Sequence, residues 1–327
     1  MLDPVVVAAW VSGSLVLGYA ATAVARRYAL HRQLIDEPGE RRSHTAATPR
    51  GGGISIVLVL LLAMAILAMT VPGEGAALGL AAAGLALVAG IGWIDDHRPL
   101  SPALRLAVHV VAGLLLACAV GLHGGDRIDM LVAFVAVTVL TNVWNFMDGI
   151  DGIAASQAVL CGLAYALFVQ DGPVWWLGLA LAAAAAGFLP FNARRARIFL
   201  GDVGSGALGY ALAALMAVAG IGGTPAERLL LLLPLLPFLL DASLTLAARI
   251  LRGEAWWRPH VQHAYQAWAR RRGHGPVTMA YACATAIAII AMFAMRSFTL
   301  PSIMALFIAL SVGGGLAWKR LASAPAR

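Results

Sequence analysis

The chain has 327 residues, 61% of them hydrophobic and only 12% charged, with a formal net charge of +7. A soluble domain carries about 25% charged residues, so this composition excludes one and points to an integral membrane protein. The basic excess is almost all arginine, with Lys319 the single lysine, and it lies beside apolar spans; it reads as membrane topology and argues against nucleic acid as a partner.

Eleven apolar stretches approach or exceed the length needed to cross a bilayer as helix, about 20 residues. They run roughly over 4–25, 52–71, 76–94, 103–122, 128–146, 153–170, 173–191, 203–222, 229–251, 277–295 and 299–317. The fifth to seventh are crowded enough that one is a candidate re-entrant segment, which would leave ten full spans. The N-terminal Met1–Pro4 lacks a basic region, and although Ala23 to Ala25 resembles a cleavage site, the first span is expected to be retained. Cys118, Cys161 and Cys283 all fall inside apolar runs, which argues against disulfides and zinc.

The connections alternate. One set (72–75, 123–127, 171–172, 223–228, 296–298) is short and poor in arginine. The other (26–51, 95–102, 147–152, 192–202, 252–276, and the tail from 318) is longer and polar. Of the 23 Lys and Arg residues only Arg127, Arg228 and Arg296 belong to the first set, leaving 20 on the other side once Arg105 and Arg249, at the span ends next to it, are counted there. The positive-inside rule therefore places the long loops and the C-terminus in the cytoplasm and the N-terminus outside. The expected fold is all-α: one membrane-embedded polytopic domain over 1–327 with about 11 transmembrane helices and its chemistry on cytoplasmic loops. Small residues such as Ala182–Ala186 and Gly204–Gly209 are expected on packing faces. There is no strong internal repeat, which weakens an inverted-repeat transporter.

The long loops carry the polar residues. In the first, Arg41, Arg42, His44 and Arg50 form a cationic cluster followed by Gly51–Gly53 at the mouth of the second span. Backbone amides at a helix start together with arginines suit phosphate; a topological anchor facing lipid headgroups is the alternative. Next come Asp95 and Asp96 at a helix end, then Ser101 and Pro102 as the N-cap and first residue of the fourth span. Adjacent carboxylates at a helix C-terminus oppose the dipole there, so either a bound cation, a titrating role or plain solvation must offset them.

The stretch 141–152 is the most informative. An apolar run ends in Asn142, Asn145, Asp148 and Asp151, with Gly149 and Gly152 opening the helix into a loop. Paired aspartates at a membrane helix end can hold a hard cation such as Mg²⁺ or accept hydrogen bonds from a substrate. The fourth loop carries Asn192, Phe199, Gly201 and Asp202, the last at the mouth of the eighth span. Helix capping explains Asp202 equally well, while the glycines would let a diphosphate and its metal approach the backbone. The last long loop contains Arg258, His260, His263, Tyr265 and Trp268, then Arg270–Arg272, and reads as an interfacial amphipathic helix with both histidines on its early face. Oxygen ligands suit Mg²⁺–phosphate chemistry better than that histidine pair does.

These segments appear as D-x-P-x-x-R-R-x-H with a later P-x-G-G, then G-x-x-D-D, N-x-x-N-x-x-D-G-x-D-G, F-x-G-D-x-G-S and H-x-x-H. In this order, over about residues 36–266, the chain resembles the polyprenyl-phosphate N-acetylhexosamine-1-phosphate transferases, the MraY/WecA family (glycosyltransferase family 4). The resemblance implies a bacterial inner-membrane enzyme. It would transfer a sugar-1-phosphate from a UDP-N-acetylhexosamine to undecaprenyl phosphate, release UMP and use Mg²⁺ with Mn²⁺ as an alternative. The lipid bilayer would be its medium and a homodimer an allowed assembly.

Carried over residue by residue, Asp202 resembles the principal Mg²⁺ ligand. Asp95 and Asp96 resemble the pair serving the acceptor phosphate and metal. Asn142, Asn145, Asp148 and Asp151 look like nucleotide and metal-site residues, with Asp151 also a metal ligand. Asn192 and Gly201 fall at nucleotide-side positions, and Phe199 is the ring stacked on uracil. Arg42, His44, Arg258, His260 and His263 are placed on phosphates or the sugar. The pentapeptide-transferase branch carries three histidines in the last cytoplasmic loop, and this chain has only His260 and His263. The following residues look more like the WbpL-type enzymes that start O-antigen and related surface glycans. A membrane transporter is the rival outside this class. Asp241, well inside a span, is its support.

Overall fold

In the computed structural model the described residues are 3–37, 47–255 and 260–323, and 80% of those residues are helical. The helices are α1 (Pro4–His31), α2 (Ile54–Thr70), α3 (Gly75–His97), α4 (Pro102–Leu122), α5 (Arg127–Met147), α6 (Ile153–Val169) and α7 (Gly172–Asn192). They continue with α8 (Gly201–Ala219), α9 (Pro225–Leu232), α10 (Leu236–Leu251), α11 (Ala264–Arg272), α12 (His274–Ala294) and α13 (Leu300–Ser323). The sole sheet among the described residues is a two-stranded antiparallel pair, β1 (Ile35–Asp36) with β2 (Thr48–Pro49), in the register Ile35 to Pro49 and Asp36 to Thr48.

All eleven expected stretches are helical. Among the described residues nine helical segments are long and apolar enough to cross a membrane, with α9 and α10 counted as one. The other two, α2 and α6, have 17 residues each, about 26 Å of helix against a core of about 30 Å. The ninth expected span is broken: Pro234 lies in a 3₁₀ turn, Leu233–Leu235, and Pro237 opens α10. Neither proline has an N–H to continue the α-helical ladder, and the chain passes through a 3₁₀ turn there. Ser101 does cap α4, accepting from the Leu104 N–H, with Pro102 as its first residue.

α8 is the central helix, buried over most of its length, while α1 and α13 lie at the edge with most of their surface open. Small residues make that centre possible. A Cβ on Gly209 would collide with the Leu140 carbonyl of α5, and one on Gly204 would press on Gly53 at the start of α2. Gly162 and Gly178 bring α6 and α7 together, and Gly18 sets α1 against Ala184. The alanine run of α7 is buried as expected. Without a hydrophobic driving force between helices in lipid, such close approaches supply the van der Waals contact that holds a bundle together.

The last loop departs from expectation. α11 is only nine residues long and begins after both histidines, so His260 and His263 do not share its face. Tyr265, expected at the lipid interface, is fully buried and its hydroxyl donates to the Phe146 carbonyl at 2.9 Å.

A matched pair of substitutions tests the packing. Gly79 has open space where its Cβ would lie, so Gly79→Ala should hold or raise the melting temperature in detergent through helix propensity, by up to about 1 kcal/mol. Gly209→Ala should lower it, the collision costing about 1–3 kcal/mol.

Candidate active site

The site forms where the ends of α3, α5 and α8 meet. Gly92, one turn before the end of α3, lets that helix touch the backbone of Asp202 and Val203 at the start of α8. Asp96, 2% exposed, then caps α8: its carboxylate accepts from the N–H of Asp202 at 3.1 Å and of Val203 at 3.2 Å. Arg50 closes the other side, donating from Nη2 to the Asp96 carbonyl at 2.6 Å, with its Nε 3.9 Å from the carboxylate. The unfavourable charge of Asp96 at a helix C-terminus is thus offset by a second helix's N-terminus and a guanidinium. Gly201 is required on two counts: its φ is +73° and a Cβ would run into the Asp96 carboxylate.

Asp202 lies in the first turn of α8 and is gripped from two helices. Arg105 of α4 donates to Asp202 Oδ2 at 2.5 Å and to Asp95 Oδ2 at 2.9 Å. Asn145 of α5 donates to Asp202 Oδ1 and to Ser205 Oγ, both at 3.0 Å. Asp95 also accepts from the Leu100 N–H at 2.5 Å, which closes the turn into α4. Arg105 escapes a sequence reading because, four residues into an apolar helix, it resembles any cytoplasmic anchor.

α5 ends at Met147, and the loop 148–152 folds as its glycines suggest, with Gly152 at φ +72°. Asp148 makes no hydrogen bond among the described residues. Loss of water contact, then the nearby Asp202 and Asp96 carboxylates, push its carboxyl up to about 8. Asp151 accepts from the Ala196 N–H at 3.2 Å and faces His274 Nδ1 of α12 at 3.2 Å. Asn192, 3% exposed, uses both ends of its amide on backbone: it accepts from Gly152 N–H at 3.0 Å and donates to the Ile198 carbonyl at 3.1 Å.

A solvent-open cavity of ≈ 230 Å³ joins these groups. Its lining includes Asp96, Asp148, Asp151, Asn192, Phe199, Gly201 and Asp202 from the expected set, with Arg50, Asp36, Gln266 and His274 added. Phe199 is half-buried there, its backbone fastened on both sides: its N–H donates to Pro49 and its carbonyl accepts from Gly52.

Other expected residues stand elsewhere. Asn142 is not among the lining residues; its amide donates to its own helix at Thr138, 2.7 Å away. His263, 3% exposed, sits 3.6 Å from Asp241, with His260 stacked on it at 4.9 Å between ring centroids, and neither lines the cavity. Burial, then the charge of His263, lower His260 to about 4, so it is neutral at pH 7. Arg42, His44 and Arg258 lie outside the described residues.

The glycine expectations are corrected as well. The N–H groups of Gly52 and Gly53 donate to the carbonyls of Phe199 and Leu200 and are not open to a phosphate. Gly201 and Gly204 admit Asp96 and Gly53, so the close approach there is by the protein itself. Asp241, the acid that favoured a transporter, caps α11 by accepting from the N–H of Ala264 and Tyr265, both at 2.9 Å, and also takes the Tyr281 hydroxyl at 2.6 Å.

The four carboxylates expected as metal ligands do not form one set. Among the described residues no three of His, Cys, Asp and Glu converge as a ready metal site. Asp95 and Asp202 share Arg105, Asp151 faces His274, and Asp95 does not line the cavity. The chemistry of the cavity nonetheless fits a hard cation, because its acids are oxygen donors and the Asp148 carboxyl has no hydrogen-bond partner among the described residues. Asp148 and Asp202 are the acids of that lining that would hold one.

The profile of glycosyl transferase family 4 matches residues 76–220, which covers Asp95 to Asp202 and stops short of α11. The chain is 32% identical over 235 residues to the decaprenyl-phosphate N-acetylglucosaminephosphotransferase of Mycobacterium tuberculosis, covering 62% of this chain and 58% of that protein. The same-named protein of Mycobacterium leprae is 28% identical over 294 residues, 76% of this chain and 73% of its own length. The phospho-N-acetylmuramoyl-pentapeptide-transferase of Moorella thermoacetica is 32% identical over 238 residues, 64% of this chain and 73% of that protein. The chain thus spans about 58% of the length of the tuberculosis protein.

Asp148 gives a pH test. Its carboxyl is pushed up to about 8 in the fold, against 3.8 for an ordinary aspartate. Rising pH therefore ionises the unfolded chain first, and wild-type stability falls between about pH 4 and 8, by at most about 1.4 kcal/mol per unit. With divalent cations chelated, Asp148→Asn should melt like wild type at pH 4 and progressively higher than wild type up to pH 8, with the gap constant beyond.

Proposed function

The chain belongs to glycosyl transferase family 4, and we propose that it transfers an N-acetylhexosamine-1-phosphate from a UDP-sugar to undecaprenyl phosphate. UMP and undecaprenyl-diphosphate-sugar are the products. An oxygen of the lipid phosphate forms a bond to the β-phosphorus of the nucleotide sugar. The bond from that phosphorus to the bridging oxygen breaks, and UMP leaves with the electron pair. The acceptor is already an anion near neutral pH, so no proton need be removed. Positioning and charge neutralisation carry the step.

One observation supports this reading above the others. A single cavity at one end of the bundle combines carboxylates with an arginine whose buried Nε has no hydrogen-bond partner among the described residues. Arg50 is thereby suited to take a phosphate oxygen. Arg105 offers a second cationic group beside Asp202. Asp202 and Asp148 would hold Mg²⁺, or Mn²⁺ in its place, which would neutralise charge on the diphosphate. The Phe199 ring lies in the lining as a platform for the uracil. Positive-inside counting turns this end of the bundle to the cytoplasm of the bacterial inner membrane, where UDP-sugars are available. Asp241 is committed to capping α11, which removes the main support for a transporter.

Within the family we assign the chain to the WbpL-type branch that initiates O-antigen or a related surface polysaccharide, on GlcNAc, FucNAc or a similar sugar. The reduced histidine motif supports that assignment. The Moorella relative, matched over 73% of its length, favours a second reading in which the donor is the UDP-linked muramyl pentapeptide.

The test is UMP release from a panel of UDP-N-acetylhexosamines and the UDP-muramyl pentapeptide, with undecaprenyl phosphate and Mg²⁺ in detergent. Release should require lipid and metal, and the preferred sugar decides the branch. Asp202→Asn should lower kcat at least 100-fold without changing the melting temperature by more than a few degrees. Phe199→Ala should raise the KM for the UDP-sugar about tenfold and leave that for the lipid near wild type; equal effects on both would remove the uracil platform.

A further inference from the structure

Ionisable side chains well inside membrane helices are rare and costly, so each needs a physical reason. Asp241 has one in the N-terminus of α11. His109 has none in packing or capping. It lies seven residues into α4, about 10 Å along the axis, and is 8% exposed. An apolar side chain would fill that volume without the cost of burying an imidazole.

Its partner is Thr141 of α5, whose Oγ1 is 3.3 Å from His109 Nδ1. The Val137 carbonyl, at 2.7 Å, is the closer acceptor for the single hydroxyl proton of Thr141, which leaves the threonine oxygen to accept from the imidazole. His109 therefore carries its proton on Nδ1 and donates across the helix interface. The bond is placed with respect to the site. Arg105 is four residues before His109 on α4, and Asn145 is four residues after Thr141 on α5, so each pair shares a helical face. Arg105 and Asn145 are the two side chains that grip Asp202, at 2.5 and 3.0 Å. The His109–Thr141 bond joins the same two helices one turn deeper.

We infer that His109 is a positioning residue for the reaction: its hydrogen bond to Thr141 fixes the α4–α5 spacing at which Arg105 and Asn145 meet on Asp202. This rests on the transferase reading, since its effect is on turnover. A displacement of about 1 Å at reacting groups is enough to cost up to 100-fold in rate. A bond that served only as glue between helices would show in stability instead.

The experiment measures kcat, KM and melting temperature for the full chain in detergent, with UMP release as the readout. His109→Leu and Thr141→Val should each lower kcat about tenfold or more, with KM for the UDP-sugar within twofold and little change in melting temperature. The double variant should fall no further than His109→Leu alone. His109→Asn, whose amide N–H takes the place of Nδ1–H, should keep kcat within about threefold of wild type. Wild-type turnover in His109→Leu, losses that multiply in the double variant, or failure of the asparagine to restore activity would each overturn the inference while leaving the transferase reading intact. A folded wild-type chain that releases no UMP with any donor overturns the transferase reading first and the inference with it.

Discussion

The site depends on Asp96 meeting the first turn of α8. Two helix ends of opposite polarity face one another there: α3 ends in negative charge, and α8 begins with unpaired N–H groups. Each end would be costly alone in a membrane, and each satisfies the other. The contact also needs backbone to approach backbone, which Gly92 and Gly201 permit. Once it forms, Asp202 is carried to within reach of Asp95's partner Arg105 and of Asn145, and Asp148 is left facing both Asp96 and Asp202.

Charge in this cavity is balanced unevenly. Asp95 and Asp202 share Arg105, and Asp96 has backbone donors and Arg50. Asp148 has no such partner among the described residues, and its carboxyl is held up near 8. In a medium of low dielectric, an acid that its neighbours keep from ionising gives up its proton when a cation arrives, and a buried guanidinium N–H without a hydrogen bond favours an anion. The arrangement suits a diphosphate and its counter-ion better than either alone.

Glycines in phosphate-binding loops commonly bring backbone amides to a ligand. Here their role is different. Gly52 and Gly53 donate to the segment that carries Phe199, and Gly204 rests on Gly53. They knit the start of α2, the 198–200 segment and α8 into one block, on which side chains that line the cavity are mounted. The stretch between α10 and α12 is organised likewise: Asp241 anchors α11, which places Gln266 at the cavity, while His274 of α12 faces Asp151.

Hydropathy and charge are local properties, and what depends on them was legible in the chain itself. The eleven helical stretches, the cap at Ser101, the opening of α5 at Asp148 and the gathering of Asp96, Asp148, Asp151 and Asp202 at one end all follow from residue type and spacing. Contacts between distant segments do not. Arg105 and Asp202 are 97 residues apart in sequence, and nothing in either neighbourhood marks them as partners. Asn142 and Asn145 have the same residue type and similar settings, and only the packing of α5 on α8 decides that Asn145 reaches Asp202 while Asn142 turns back to its own helix. His263 reads as a surface ligand until the packing of the last loop on α10 brings it to 3.6 Å from Asp241. Composition determined that the chain would form a helical membrane bundle with acids at one end; three-dimensional packing alone decided which of those acids are free for chemistry, because that depends on which donors the fold delivers to them.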